Sequence, residues 1–304
     1  MKFGYENCRL CPRNCQINRL EGQKGFCRMD SRIFGARAAL HMWEEPCISG
    51  TKGSGAVFFS GCGLRCCFCQ NHDIAIGSRG RAVSVERLGE IFLELKEKGA
   101  ANINLVTGAH YVPQIIKALN LARMQGMDLP VVYNSSGYEK LETLKLLEGY
   151  VDIYLPDFKY MEPDLAQKFS HAPDYVERAK AAIKEMVRQS GSCQFGEDGY
   201  IRRGTIVRHL ILPGHTRNSR KVLRYLHETY GEEIYISIMN QYTPVREFGE
   251  FKELNRKVTK REYEKVLDAA VDMGIQNGFI QEGETASESF IPEFDYEGVK
   301  KNTP

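Results

Sequence analysis

The sequence predicts an α/β fold, a parallel sheet covered by helices. Two observations carry that expectation. From residue 55 onward, short apolar runs alternate with amphipathic helical patterns, the signature of strands buried between helical connections. Six or seven such strand–helix units follow one another. That number suits a full or partial (β/α) barrel; a doubly wound open sheet is the alternative, and periodicity alone does not separate the two.

The units can be taken in order. GAVFFSG (55–61) is a buried-strand pattern that runs directly into a cysteine-rich stretch. SVERLGEIFLELKEKG (84–99) is helical, with Val85, Leu88, Ile91, Phe92 and Leu95 on one face, Ser84 to cap the start and Gly99 to end it. ANINLVTG (101–108) reads as a strand and YVPQIIKALNLARMQG (111–126) as a helix. PVVYNSSG (130–137), a helix over 139–149 and VDIYLPDF (151–158) continue the alternation. A helix over 173–191 precedes SCQFGEDGYIRRG (192–204), read as a hairpin or irregular insertion. TIVRHLILPG (205–214), a helix over 217–231, and EIYISIMNQY (233–242) follow. TKREYEKVLDAAVDMG (259–274) opens on a capping box, Thr259 with Glu262, and closes on Gly274. NGFIQEG (277–283) is the last strand candidate. Residues 1–54 are expected to form a small Cys-rich module joined through GTKGSG, residues 55–283 the barrel, and residues 284–304 a tail on the surface.

Composition sets outer limits. The 304 residues carry a net charge of +2, so no global field demands nucleic acid or an anionic membrane. No run of about 18 apolar residues is present. The start, MKFGYENC, lacks the apolar stretch of a secretory signal. A cytoplasmic protein is expected, in which clustered cysteines bind metal or do redox chemistry more often than they form disulfides. Eight of the 10 cysteines form two groups: Cys8, Cys11, Cys15 and Cys27, then Cys62, Cys66, Cys67 and Cys69. Four thiols in the first group can close a tetrahedral zinc site or complete a saturated iron–sulfur cluster. In the second, Cys62-x3-Cys66-x2-Cys69 offers three, which leaves a cubane with one iron open to an outside ligand. Barrel active sites sit after strand C-termini, where the second group, Thr107–His110, Asn134–Ser136, Asp157 and Lys159 all fall.

The stretch CGLRCCFC resembles the CxxxCxΦC signature of radical S-adenosylmethionine (radical SAM) enzymes, with Phe68 at the aromatic position. The resemblance implies a partial (β/α)6 TIM-like barrel with this loop after its first strand. It implies a [4Fe–4S] cluster on Cys62, Cys66 and Cys69, the open iron taking the amino and carboxylate groups of S-adenosylmethionine. The reduced cluster of such enzymes cleaves the cofactor to methionine and a 5′-deoxyadenosyl radical. FFSGCGLRCCFCQN, the DFK at 157–159 and RHLILPG at 208–214 are similar to the pyruvate formate-lyase activating enzyme branch, over most of the chain. On that likeness Phe68 lies near the adenine, Asn134 and Ser135 match a polar pair beside a cation and the cofactor, Asp157 and Lys159 match a DxK motif that contacts the cofactor, and Arg208 meets its carboxylate. A flavodoxin- or ferredoxin-type electron donor and a protein substrate are implied, the substrate group being a backbone glycine of a partner enzyme. Another peptide, RNA or a metabolite are the alternatives, and a non-catalytic metal-binding interaction protein is the rival from outside enzymology. The sequence departs from the branch at two places. Its Gly-Gly-Glu motif, which receives the amino group, is replaced by Thr107-Gly108-Ala109-His110, and its LPYH-like strand end reads Met239-Asn240-Gln241-Tyr242. Glu44 and Glu45, in HMWEEP, read as charged flanks of a loop or as catalytic carboxylates, and Cys47 as a buried spectator or a redox partner.

Overall fold

The computed structural model of the chain describes residues 4–281 and 292–300. Its elements run β1 (Ile33–His41), α1 (Pro46–Ser49), β2 (Ser54–Phe59), α2 (His72–Ala75), β3 (Arg81–Val83), α3 (Val85–Glu97), β4 (Ile103–Val106), α4 (Val112–Met124), β5 (Val131–Ser135), α5 (Leu141–Leu146), β6 (Ile153–Pro156), α6 (Pro163–Ser170), α7 (Tyr175–Ser190), β7 (Gln194–Phe195), β8 (Ile201–Leu210), α8 (Thr216–Tyr230), β9 (Tyr235–Met239), α9 (Lys260–Asp272) and β10 (Gly278–Ile280).

The strands lie side by side in the order β10-β9-β8-β6-β5-β4-β2-β1-β3. From β2 to β10 the order advances one way and every pairing is parallel. A doubly wound sheet reverses at a switch point. This sheet does not reverse, so successive right-handed crossovers place their helices on one face. The other face curves into a wall, and the ends of the order, β3 and β10, leave the barrel open. The expected partial barrel is therefore the fold.

The amino-terminal part of the sheet differs from expectation. Residues 33–41 extend the sheet across the boundary expected at residue 54: β1 pairs antiparallel with β2, His41 opposite Ser54 and Gly35 opposite Phe59, and β3 pairs on its other side. The small side chains of Ala36 and Ala38, both buried, let β1 lie close, and they carry little strand signal on their own. Of the expected tail, residues 284–291 and 301–304 lie outside the described residues. Residues 292–300 cross β1: the Ala38 amide donates to the Glu297 carbonyl at 2.8 Å, Arg37 pairs with Asp295 at 2.9 Å and with Glu297, and Val299 is buried. The expected insertion at 192–204 is β7 folded back on an early start of β8. The eight residues of α6, opened by Pro163, are too few for a helical period to stand out.

The capping box forms at α9. Thr259 Oγ1 accepts from the Glu262 amide at 3.2 Å and Glu262 Oε2 accepts from the Thr259 amide at 2.9 Å. A Thr259→Ala variant is expected to lose about 1 kcal/mol of stability, read as a lower urea midpoint. An unchanged midpoint means the cap contributes nothing.

Inside the barrel, alternate residues of each strand share the inner face. Val132, Ile153, Leu155 and Ile206 form its lower layer, and Ile48 of α1 is fully buried against them. The segment 42–50 thus plugs the barrel from the N-terminal ends of the strands. Asn102 Nδ2 fixes the plug by donating to the Ile48 carbonyl at 2.8 Å. Gly50, at φ +46, allows the exit, because a Cβ there would sit 2.2 Å from the Tyr200 hydroxyl.

Candidate active site

Above the plug lies a cavity of about 460 Å³ at the C-terminal ends of the strands. Its wall takes Cys62, Cys66, Phe68 and Cys69 from the loop after β2, Thr107 from the end of β4, Asn134 and Ser135 from β5, Asp157 and Lys159 from the segment after β6, and Arg208 from β8. The nine residues expected at the catalytic site are therefore brought to one place. Cys67 does not line this cavity; its amide donates to the Phe169 carbonyl at 2.8 Å, and its own carbonyl accepts from Arg246 at 3.0 Å.

The cysteine loop is set by backbone geometry. Gly61 leaves β2 at φ +87, and a Cβ there would meet Met29 Cγ at 2.4 Å and the Cys27 carbonyl at 2.8 Å. Only glycine fits that approach. A Gly61→Ala variant is expected to lose about 1–3 kcal/mol, and its iron content after anaerobic reconstitution is expected to fall. Wild-type iron content and melting temperature together would remove Gly61 from the account. His110 holds the loop from below: its Nε2 lies 2.8 Å from the Ser60 carbonyl. A carbonyl only accepts, so that nitrogen carries the proton. Burial pushes the His110 pKa down to about 3, and the ring stays neutral. The residue that stands in for part of the Gly-Gly-Glu motif is thus a loop support outside the cavity.

The Cys62 amide neighbours shape its sulfur, which accepts from the Leu64 and Arg65 amides at 3.4 and 3.5 Å. Burial pushes the Cys62 thiol up to about 11 and raises Cys66 and Cys69 too, while the charge of Lys159 works in the opposite direction at all three. Phe68 is buried edge-on between Phe169 and Tyr242, each 6.2 Å away between ring centres.

The polar residues form one buried network. Lys159 Nζ donates to Asp157 Oδ2 at 2.6 Å. Arg208 donates from Nε to Asp157 Oδ1 at 3.3 Å, from Nη2 to Asn134 Oδ1 at 2.6 Å and from Nη1 to Glu44 Oε2 at 2.9 Å. Glu44 Oε1 accepts from Asn104 Nδ2 at 2.9 Å and from Asn134 Nδ2 at 3.3 Å. Burial raises the Asp157 carboxyl, but Lys159 and Arg208 together overcome it and hold the group below its ordinary value. Ser135 Oγ accepts from the Gly137 amide at 3.2 Å. Thr107 takes φ +63, an uncommon conformation for a β-branched residue, and its amide donates to the Asn134 carbonyl at 2.9 Å. The strained residue sits at the rim, where strain often accompanies function.

Sequence reasoning gave Glu44 and Glu45 no definite role. Both line the cavity because the plug carries them inside the barrel. Glu45 is buried, burial being the largest influence and raising its pKa, and its Oε2 has no hydrogen-bond partner among the described residues. The available signal was EEP before a helix of four residues: two carboxylates locked beside Pro46, in a segment that the topology sends inward.

The amino-terminal thiols gather separately. Cys8, Cys11 and Cys27 are buried and Cys15 is half-buried. Among the described residues, no three Cys, His, Asp or Glu side chains already converge at ion-ligand geometry. Among them also, no helix is long and apolar enough to cross a membrane.

A family model described as the radical SAM superfamily matches residues 56–226. An uncharacterized protein of Methanocaldococcus jannaschii is 28% identical over 277 residues, covering 88% of this chain and 75% of that protein. The pyruvate formate-lyase-activating enzyme of Clostridium pasteurianum is 29% identical over 113 residues, 36% of this chain, and the match spans only 46% of that enzyme. A solved structure described as "Native anSMEcpe with bound AdoMet" aligns at a TM-score of 0.51 and 14% identity, over 73% of this chain and 61% of that one. At that identity the likeness is one of fold.

Proposed function

Because the chain belongs to the radical SAM superfamily, we propose that Cys62, Cys66 and Cys69 hold its [4Fe–4S] cluster and that the cavity beside them binds S-adenosylmethionine. Membership implies the cluster and cleavage of that cofactor. The observation that carries the residue assignment is the donor set: these three thiols border one cavity whose wall also carries the cations Lys159 and Arg208 and the carboxylates Glu44, Glu45 and Asp157. When bound, the cluster supplies the electron that breaks the carbon–sulfur bond of the cofactor and yields a hydrogen-abstracting radical.

The chain's own residues bind and orient. Lys159, fixed by Asp157, offers a buried cation beside the thiols, and its charge offsets the thiolates that metal binding requires. Arg208 offers donors to a carboxylate from a position locked by Glu44, Asn134 and Asp157. Asp157 and Glu44 accept from ammonium or hydroxyl groups. The side chains of the plug close the barrel floor against water.

For the substrate, we propose a backbone glycine of a partner enzyme, with a flavodoxin- or ferredoxin-type protein as electron donor. The likeness to a pyruvate formate-lyase-activating enzyme over 113 residues supports this reading. The test is anaerobic incubation of reconstituted protein with S-adenosylmethionine, a reductant and a captured partner. A glycyl-radical EPR signal in the partner is the expected outcome. Release of 5′-deoxyadenosine with no partner radical assigns the hydrogen atom to another peptide, RNA or metabolite. No iron bound and no cofactor cleaved leaves a non-catalytic metal-binding protein.

A further inference from the structure

Two of the four amino-terminal cysteines hold a buried arginine between them. Arg19 is 1% exposed. Its Nε donates to Cys8 Sγ at 2.9 Å and its Nη2 to Cys27 Sγ at 3.2 Å, while Nη1 donates to the carbonyls of Met29 at 2.9 Å and Asp30 at 3.4 Å. A Cβ on Gly25 would touch both Arg19 Nη2 and Cys15 Sγ at 3.2 Å, so the third sulfur lies on the same side. Cys11 completes the group, within electrostatic range of Cys27, Cys15 and Cys8.

A guanidinium is always charged, and a buried charge needs a counter-charge. Among the described residues, none of Arg19's hydrogen bonds reaches a carboxylate, and the Asp30 carboxylate turns instead to Arg32 at 2.7 Å. Four neutral thiols do not supply the missing charge. Four thiolates on a metal do, since they exceed the charge of the metal core they bind. The backbone also suits a metal knuckle. Asn14, Gln16 and Arg28 take positive φ, the Cys8 amide donates to the Ile17 carbonyl at 2.9 Å, and the Phe26 amide donates to Cys15 Sγ at 3.4 Å. Binding a metal would draw the sulfurs to one centre, a motion that changes of χ1 rotamer can supply.

The group also abuts the catalytic loop. A Cβ on Gly63, the residue after Cys62, would lie 3.4 Å from Cys11 Sγ. Arg13 donates to the Gly63 carbonyl at 2.7 Å and to the Ser170 carbonyl at 3.0 Å. Arg65 donates to the Phe26 carbonyl at 3.0 Å, and the Phe26 ring lies against both guanidinium groups.

We propose that Cys8, Cys11, Cys15 and Cys27 hold a second, tetrathiolate metal centre with Arg19 as its buried counter-charge, and that this centre braces the catalytic cysteine loop. It deepens the reading above in one respect only: the loop it braces is the one assigned to the catalytic cluster. The metal site itself does not depend on that assignment.

The test uses the full chain with Cys62, Cys66 and Cys69 all changed to alanine, purified anaerobically and assayed for metal. The expected result is either about one zinc per chain, or about four irons with a charge-transfer absorption. The two outcomes distinguish a zinc ion from a cluster, and both support the centre. Adding Cys8→Ser and Cys15→Ser should remove that metal. Less than about 0.2 metal per chain before those changes overturns the proposal. If the triple variant does not fold, reconstituted wild type decides: about four irons and no zinc overturns it. Bracing has its own readout. Amide exchange over residues 60–69, in the triple-alanine chain with and without the Cys8→Ser and Cys15→Ser changes, should rise when the metal is lost. Equal exchange in the two overturns the bracing role.

Discussion

Replacing Cys66 with alanine is expected to lower 5′-deoxyadenosine release from S-adenosylmethionine to the level of a no-protein control. Cys66 is buried, lines the cavity, and has Lys159 as the largest influence opposing burial on its thiol. On the proposed assignment, removing it leaves two thiols of three, too few to hold a cubane that keeps one iron open. Cys67→Ala is the internal control. It is the same change one residue along, at a half-buried position that does not line the cavity, so release should stay close to wild type. Loss in Cys67→Ala with activity retained in Cys66→Ala would move the ligand by one residue and undo the assignment.

The second large effect is on stability. An Arg208→Met variant is expected to be destabilised by about 3–5 kcal/mol, because it leaves the Glu44 and Asp157 carboxylates buried without their shared partner. The residue is 14% exposed, and Glu44 6% and Asp157 17%, by side chain, so solvent does little to replace it. Arg208→Lys keeps the charge but loses the planar fork that reaches three partners, and should recover only part of the loss. Acid unfolding gives a second check. The Asp157 pKa is held below its ordinary value. Its contribution is therefore full above that ordinary value and is lost as pH falls through the lower folded one. Without Arg208 the folded pKa rises, and unfolding should begin at a higher pH. A variant as stable as wild type, with the same acid limb, would mean that the network contributes no net stabilisation.

Much of this site could be read from the sequence for identifiable reasons. Cys62, Cys66 and Cys69 announce themselves by spacing. Asn134 and Asp157 sit at or just beyond the ends of apolar runs, and a parallel barrel puts those ends on one face; Arg208 lies within its run and is marked by the family likeness alone. What the sequence did not reveal depends on topology. Glu44 lies 60 residues from Asn104 and 164 from Arg208; nothing local in HMWEEP says that the segment turns into the barrel instead of over it. His110 looked like a candidate for chemistry because it follows a strand, yet one turn of chain carries it under Ser60, where burial keeps it neutral. β1 escaped notice because its alanines pack by being small. Arg19, in QINRLEG, has the local pattern of any surface arginine. Only the fold shows that it is buried against two sulfurs and two backbone carbonyls.

On the proposed assignment, the three-thiol set leaves a place at the cluster for S-adenosylmethionine. This is tested most directly by EPR of the dithionite-reduced, reconstituted protein before and after that cofactor is added. The signal of interest is the one absent from the chain with Cys62, Cys66 and Cys69 changed to alanine. The g-values of this signal are expected to change when S-adenosylmethionine is added, because a new ligand reaches the open iron. Identical spectra with and without saturating cofactor would contradict the assignment.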